Sequence, residues 1–493
     1  MKKIAILFLF FSFMFLANAQ LGVKYDPSIQ STKSMQYFRP KGDLFVGDAI
    51  PFSKDGIYYY YWLLDSAHHK SLNGLGGHQW VLSKSSDLKT WQQFPIVLGI
   101  DEDWEKSICT GSVVFSGGKY YAFYATRLVV DGKVNEQLSY AISDDGVHFE
   151  KQKPNPFYTS APGYSKRHFR DPKVFVDANG AFHLFVSSEQ TDPVLAHAAG
   201  CLVHLISSDL KNWSVLDPIL TGSPSVPECS DYFFWKSWYY LVYSDASNTY
   251  YVKSKKPFGP WEAPRYQALS EDWSNVAKTA VFKNDRLIAA SWIPSRLDNQ
   301  DNNHEIFGGN SLFREILQEL DGTLDTRFPP EMVPETENVL ANFKINTDIQ
   351  ATLNGTNNVL ISAFGGIGAA HIEHLPLNCR ITLQVEPTGA NQEFGLYLRS
   401  DQHAQGGYRL NFSANNKIVQ LGNTVVYAVE GLNKPITLDI VMKDDIIDVD
   451  IDHRRTIINR GYEQKGDFIW FYAKYGKIIF RSIKISPLKE NQN

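Results

Sequence analysis

Along most of this chain apolar and polar positions alternate with the period of a strand, and the three-and-four spacing of an amphipathic helix is scarce. Short apolar-aromatic runs are cut by Gly, Asn, Asp and Ser, which predicts strands joined by tight turns. The runs recur in a fixed order. DGIYYYYWLLD is followed by WVLSKSSDLKTWQQF, GGKYYAFYATR by LSYAISDDGVHFEKQ, and NGAFHLFVSSE by LVHLISSDLKNWSVL. A fourth unit runs from Asp231 through YYVKSKKPFGPWEAP, and a fifth covers KTAVFKNDRLIAASWIP and NSLFREILQEL. Each unit has about 55–60 residues, room for a four-stranded propeller blade of about 40–50 and its loops. The expected fold class is therefore all-β, a five-bladed β-propeller. Ser-Asp-Leu-Lys-x-Trp, at 86–91 and again at 208–213, implies repeats of one kind and argues against a stack of sandwiches.

The pattern shifts at FPPEMVPETENVL, residues 328–340, where prolines and acids read as a linker. Beyond it, RITLQVEP, EFGLYLRS, ITLDIVMKDDIIDVDID and KIIFRSIKI alternate cleanly and predict a C-terminal β-sandwich. The expected domains are the propeller over 20–335 and the sandwich over 336–493. The first residues, MKKIAILFLFFSFMFLANAQ, put two lysines before an apolar run and an Ala17-Asn18-Ala19 cleavage site. This predicts a signal peptide over 1–19 and a secreted or periplasmic product. The apolar run is short for a membrane span, and no cysteine follows the cleavage site to carry a lipid.

A formal net charge of −5 offers no basic field, so nucleic acid is not an expected partner. Aromatics at 14% suit both strand packing and stacking on sugar faces. Cys109, Cys201, Cys229 and Cys379 are too widely spaced for a disulfide framework or a zinc set and read as buried thiols. GGIG at 365–368 lacks the strand-then-helix setting of a phosphate loop. No cofactor and no metal is expected.

Three acids each open a blade: Asp48 in FVGDAIPFSKDG, Asp171 in HFRDPKVFVDANG and Glu228 in PECSDYFFW. In a propeller the innermost strands line the axis, so residues at one end of those strands converge on one pocket. Paired carboxyls in a pocket suit glycoside hydrolysis, where one protonates the leaving oxygen and another attacks the anomeric carbon or activates water. Their pKa values are then pushed apart, and Arg170 is expected to keep Asp171 ionised. An Asp before a strand also caps turns, and that reading stays open for each residue alone.

These residues resemble glycoside hydrolase family 32, the β-fructofuranosidase, inulinase and levanase family. Pro227-Glu228-Cys229-Ser230-Asp231 is similar to the family's Glu-Cys block, and Arg170-Asp171-Pro172 to its Arg-Asp-Pro block. Cys109-Thr110-Gly111-Ser112, the stretch from Trp80 to Trp91, and GNSLFREILQELDGTLDTRFPP follow in family order. The resemblance implies a propeller followed by a sandwich, a carbohydrate substrate and a retaining mechanism without metal. It implies Asp48 as nucleophile, Glu228 as general acid/base and Asp171 as transition-state stabiliser. Trp80, Thr110, Ser112 and Arg170 are the candidate substrate-binding residues, with a structural blade tryptophan the other reading of Trp80. The chain departs from the family around Asp48, where FVGDAIPF replaces a Trp-x-Asn-Asp-Pro-Asn-Gly block, and Leu63 replaces a glutamine. A divergent subgroup acting on another furanoside, an inverting arabinan-type hydrolase and a non-catalytic sugar-binding protein are the competing readings.

Other positions read as structural. Trp91 and Trp213 share a repeat position and are expected to pack. His68, His69 and His78 read as solvated loop histidines that could touch a sugar. DVDIDHRR, 448–455, reads as an edge strand with one wet face.

Overall fold

The computed structural model describes residues 22–489, apart from 28–32, 267, 272–273, 342, 390 and 392. The expected signal peptide therefore lies outside the described residues. Strands dominate, and the α-helix Ser71–Gly74 is a single turn. Between Leu44 and Arg327 the strands fall into groups of four that meander antiparallel. Their first members are Leu44–Lys54, Ser107–Ser116, Tyr164–Val176, Glu228–Trp235 and Asn275–Phe282. Each of these touches the first strand of the next group, and the last touches the first, so they close a ring. This is the five-bladed propeller that the repeats predict.

The aromatic runs fill the seams between blades. Tyr59 and Tyr61 of the first blade pack with Tyr120 and Tyr124 of the second. Phe123 packs with Phe169 and Leu184 of the third, and Phe185 with Tyr232 and Leu241 of the fourth. Phe123 and Phe185 are fully buried, and each contributes about 1.5–3 kcal/mol by leaving water. Tyrosine hydroxyls fasten the same seams: Tyr61 donates to the Gly146 carbonyl at 2.7 Å and Tyr58 to that of Ile288 at 3.1 Å. The first and last blades close on each other without exchanging a strand. Val46 pairs with Gly309, and the incoming chain at Tyr37 and Phe38 bonds to Ser311 of the last blade.

The Ser-Asp repeat is a turn used three times. Ser85, Ser143 and Ser207 each accept backbone N–H groups two and three residues on. Asp87, Asp145 and Asp209 do the same for the next pair. Leu88, Gly146 and Leu210 share a left-handed φ of 62°, 71° and 61° at the third position. Side-chain acceptors compensate a backbone conformation that leucine otherwise avoids. Trp91 then packs into the core as expected, its indole N–H donating to the Leu88 carbonyl at 2.9 Å.

The second unit is a sandwich with one buried core, from Ile345 to Ile485. Its last strand, Phe468–Pro487, pairs with Glu393–Ser400, Cys379–Pro387 and Val359–Ile372. The strand Ile446–Ile451 lies between Ile436–Lys443 and Arg455–Arg460, which corrects the expectation of an edge. Its acidic face is also dry. Arg314 of the propeller grips both oxygens of Asp448 at 2.8 and 2.6 Å, Tyr37 donates to the same carboxylate at 2.7 Å, and Asp450 accepts the N–H of Phe328 at 3.0 Å. The alternating acids face the propeller, with Ile293, Leu312 and Phe328 meeting Val441, Ile446 and Ile458 beside them. All four cysteines are buried and unbridged.

Candidate active site

Each of the five axial strands carries a bulge where two residues face one on the neighbouring strand. The paired residues lie between Val46 and Ala49, Ile108 and Gly111, Arg170 and Lys173, Glu228 and Asp231, and Asn275 and Lys278. Bulges of this kind bend a strand and re-aim a side chain. Three are held in the left-handed region, by Asp171 at 54°, Cys229 at 52° and Val276 at 47°. In the second blade Gly111 is required, because a Cβ there would stand 1.9 Å from the Phe123 carbonyl oxygen. The motif residues at 48, 109–110, 171 and 229 therefore sit at one level of the axis because five strands break pairing at the same point.

The bulges open onto a cavity of ≈ 560 Å³ lined by Asp48, Asp171 and Glu228 together. Asp48 accepts the Trp292 indole N–H at 3.1 Å on Oδ1, and the Cys229 thiol lies 3.8 Å from Oδ2. Asp171 accepts the backbone N–H of Cys229 at 3.1 Å. Glu228 is half exposed and receives Arg170 at 2.9 Å. Burial, and then the charge of Asp171, push Asp48 up to about 7. Burial pushes Asp171 up to about 6 although Arg170 opposes it. Arg170 favours the ionised form of Asp171 but does not outweigh burial. Its guanidinium is 3.7 Å from Asp171, while its shorter contacts go to Glu228 and to His168 at 2.7 Å.

Thr110 and Arg170 line the cavity as the sequence suggests. Trp80 and Ser112 do not. Trp80 is fully buried between blades and donates to the Cys109 carbonyl at 2.9 Å. Ser112 donates to the Pro172 carbonyl and accepts the N–H of Val174, both at 2.7 Å, and so ties the second blade to the third.

Several lining residues carry no motif. Glu136 accepts Arg127 at 2.7 Å and Arg170 at 3.3 Å, bridging two guanidiniums in the wall. Those arginines hold its carboxyl below its ordinary value although burial works the other way. Trp292 and Phe307 pack 4.8 Å apart beside Asp48, with Leu63 opposite the bulge. Lys278 lies behind the wall, and a lysine inside the apolar run NVAKTAVF is a signal that could have found it. His69 and His78 are not solvated loop residues. They line the cavity, His78 stacks on Phe307 at 4.7 Å, and its Nε2 meets Asp65 at 3.0 Å.

Asp65, His69 and His78 bring one ligand-type atom each within 4.8 Å of the others. The Arg127 guanidinium, however, donates into His69 Nε2 at 2.8 Å. That lone pair is in use, and a fixed cation already stands beside it. Burial, aided by Arg127 and the neighbouring imidazole, lowers His69 to about 4. With His69 Nε2 already taken by Arg127, the three residues form a hydrogen-bonded wall rather than a metal cage.

Residues 40–322, more than half of the chain, match the family description Glycosyl hydrolases family 32 N-terminal domain. The chain belongs to glycosyl hydrolase family 32. This family 32 chain is 27% identical over 281 residues to a sucrose-6-phosphate hydrolase of Escherichia coli, covering 52% of this chain and 57% of that protein. A sucrose-6-phosphate hydrolase of Zymomonas mobilis is 26% identical over 211 residues, 39% of this chain and 40% of that one. The match thus spans about half the length of these curated relatives. Among solved structures, a Bombyx mori family 32 β-fructofuranosidase superposes with a TM-score of 0.65 at 17% identity, covering 91% of this chain and 94% of that chain. Fructan 1-exohydrolase IIa of Cichorium intybus superposes at 0.67 with 14% identity, covering 94% and 98%. At that identity the likeness is one of fold, and it extends through both units of the family 32 chain.

Proposed function

We propose that the chain is an exported glycosidase that cleaves β-fructofuranosidic bonds with retention of configuration. The observation that carries this reading is the convergence of Asp48, Asp171 and Glu228 from three blades on one sugar-sized cavity. Family membership supports it, as do the sucrose-6-phosphate hydrolases among its relatives and the complex of a Bombyx mori β-fructofuranosidase variant with sucrose. The Lys-Lys, apolar and Ala-Asn-Ala succession at the N-terminus supports export.

In this mechanism Asp48 attacks the anomeric carbon while Glu228 gives its proton to the departing oxygen. Water then attacks the same carbon as Glu228 takes its proton, and Asp48 leaves as a carboxylate. Trp292 and Cys229 orient the two oxygens of Asp48. Arg170 fixes Glu228 on the open side of the cavity, where a leaving group departs. Asp171, turned inward by its bulge, is placed to take ring hydroxyls and to stabilise positive charge on the sugar.

A second substrate, a furanoside other than fructose, is favoured by Leu63 and Phe307, apolar groups beside Asp48. The test is a panel of sucrose, inulin, levan, fructo-oligosaccharides and arabinan, with proton NMR of the first-formed anomer. Fructose released with retained configuration supports the proposal. Release with inversion overturns the mechanism, and sugar binding without turnover, unchanged in Asp48→Asn, overturns the enzyme reading.

A further inference from the structure

Lys278 is the first paired residue after the fifth blade's bulge and is almost completely buried. Its Nζ donates to the Thr110 hydroxyl at 3.2 Å and to the Gly111 carbonyl at 2.9 Å, both in the second blade. To reach from the fifth blade to the second, the side chain passes the bulge of the first blade, which holds Asp48. Among the described residues no carboxylate forms an ion pair with it. The other acid near the axis, Asp231, is already matched by Lys173 at 2.6 Å and by two bonds from Thr279 at 2.7 Å. A buried ammonium with only neutral acceptors costs several kcal/mol unless anions lie close by. The carboxylates that feel this ammonium are Asp48, which pairs with no cation among the described residues, and Asp171, which Arg170 reaches only at 3.7 Å.

We propose that Lys278 is a positioning residue that sets a fixed positive charge beneath Asp48 and Asp171 and thereby keeps Asp48 a carboxylate, ready to attack. This deepens the glycosidase reading and rests on it. The groups facing Asp48 are Tyr60 from its own blade, Asp171 from the third, Glu228 and Cys229 from the fourth, and Lys278 and Trp292 from the fifth. Burial, Asp171 and Glu228 all favour the protonated acid, and the charge of Lys278 is the largest influence against them. It acts in the same direction on Asp171. Lys278 does not line the cavity, so it acts through the aspartates and not on the sugar.

The experiment compares the pH dependence of kcat/KM for wild type, Lys278→Gln and Lys278→Met on a substrate that the wild type cleaves. Gln keeps a donor for Thr110 and Gly111 without the charge; Met keeps neither. The acidic limb is expected to move up by about one pH unit in both variants. Activity at pH 5 then falls about tenfold more than at pH 8. An unmoved limb overturns the inference, and so does a limb that moves in the Met variant alone, since hydrogen bonding would then be the role. Should neither variant fold, the triple variant Asp48→Asn, Asp171→Asn, Lys278→Met decides. Recovery of folding supports a charge matched to the aspartates, and continued failure makes the lysine a packing residue. A wild type that cleaves nothing in the panel removes the glycosidase reading. The stability of Asp48→Asn, Asp171→Asn with and without Lys278→Met still tests the lysine: higher stability without it supports the match, and equal stability overturns it.

Discussion

Asp171 accepts the backbone N–H of Cys229 at 3.1 Å, which fastens the bulge of the third blade to that of the fourth. Both residues are left-handed, at 54° and 52°, a conformation that costs about 1 kcal/mol or more for a residue with a side chain. The bond helps to hold that strain. It also turns the Cys229 thiol toward Asp48 and leaves Glu228 facing the cavity mouth. The two strained residues thus place Asp171 and Glu228 and bring the Cys229 thiol to Asp48, which its own bulge and Trp292 hold.

Glu228→Gln keeps an acceptor for Arg170 and loses the transferable proton. Turnover is expected to fall at least about 100-fold, with thermal unfolding unchanged. Substrates with good leaving groups should be spared in the first step, since they need no proton. Near-normal turnover on sucrose-like substrates would remove Glu228 from the mechanism.

Asp48→Asn should be inactive and, at high pH, more stable than wild type. Both aspartates have folded-state values above the ordinary 3.8, about 7 and about 6. The folded protein therefore holds protons that the unfolded chain has released. Their stabilising effect is complete below about pH 4 and is lost as pH rises through 6 and 7. The amide escapes that loss at position 48. Melting curves at pH 4 and pH 8 check this: the variant's advantage should be present at pH 8 and shrink at pH 4. An equal melting point at pH 8 would count against a destabilising charge at Asp48.

Trp80→Phe separates packing from substrate contact. The indole is fully buried and bonds to the Cys109 carbonyl. The variant is expected to lose about 1–3 kcal/mol of stability while KM stays within about twofold of wild type. A tenfold rise in KM with unchanged melting would return Trp80 to the substrate site.

Arg314→Met strands the buried Asp448 carboxylate between propeller and sandwich. Breaking such a pair from one side costs about 3–5 kcal/mol. The variant should melt earlier and be cut sooner by protease near the linker, with kcat intact at low temperature. Unchanged melting would show that the two units hold together without this pair.

The architecture was legible in the sequence because strand alternation and turn chemistry are local. Ser85-x-Asp87 and Ser207-x-Asp209 declare themselves within a few residues, since a serine and an aspartate cap the turn that contains them. Asp48, Asp171 and Glu228 stood out because each precedes an aromatic strand, and the order of motifs tied them to one family. The face of Ile446–Ile451 was misread, because an alternating strand looks the same whether its polar side meets water or the partnered Arg314 of another domain.

What the chain alone determined is the repeat, the strand content and which acids to watch. What only the tertiary structure decided is who meets whom at the axis. Glu136 bridging Arg127 and Arg170, Trp292 on Asp48, and Lys278 reaching Thr110 each join separate blades. Spacing along the chain carries no trace of such contacts, because closing the ring sets them: five strands must break register at one level before those side chains share a cavity.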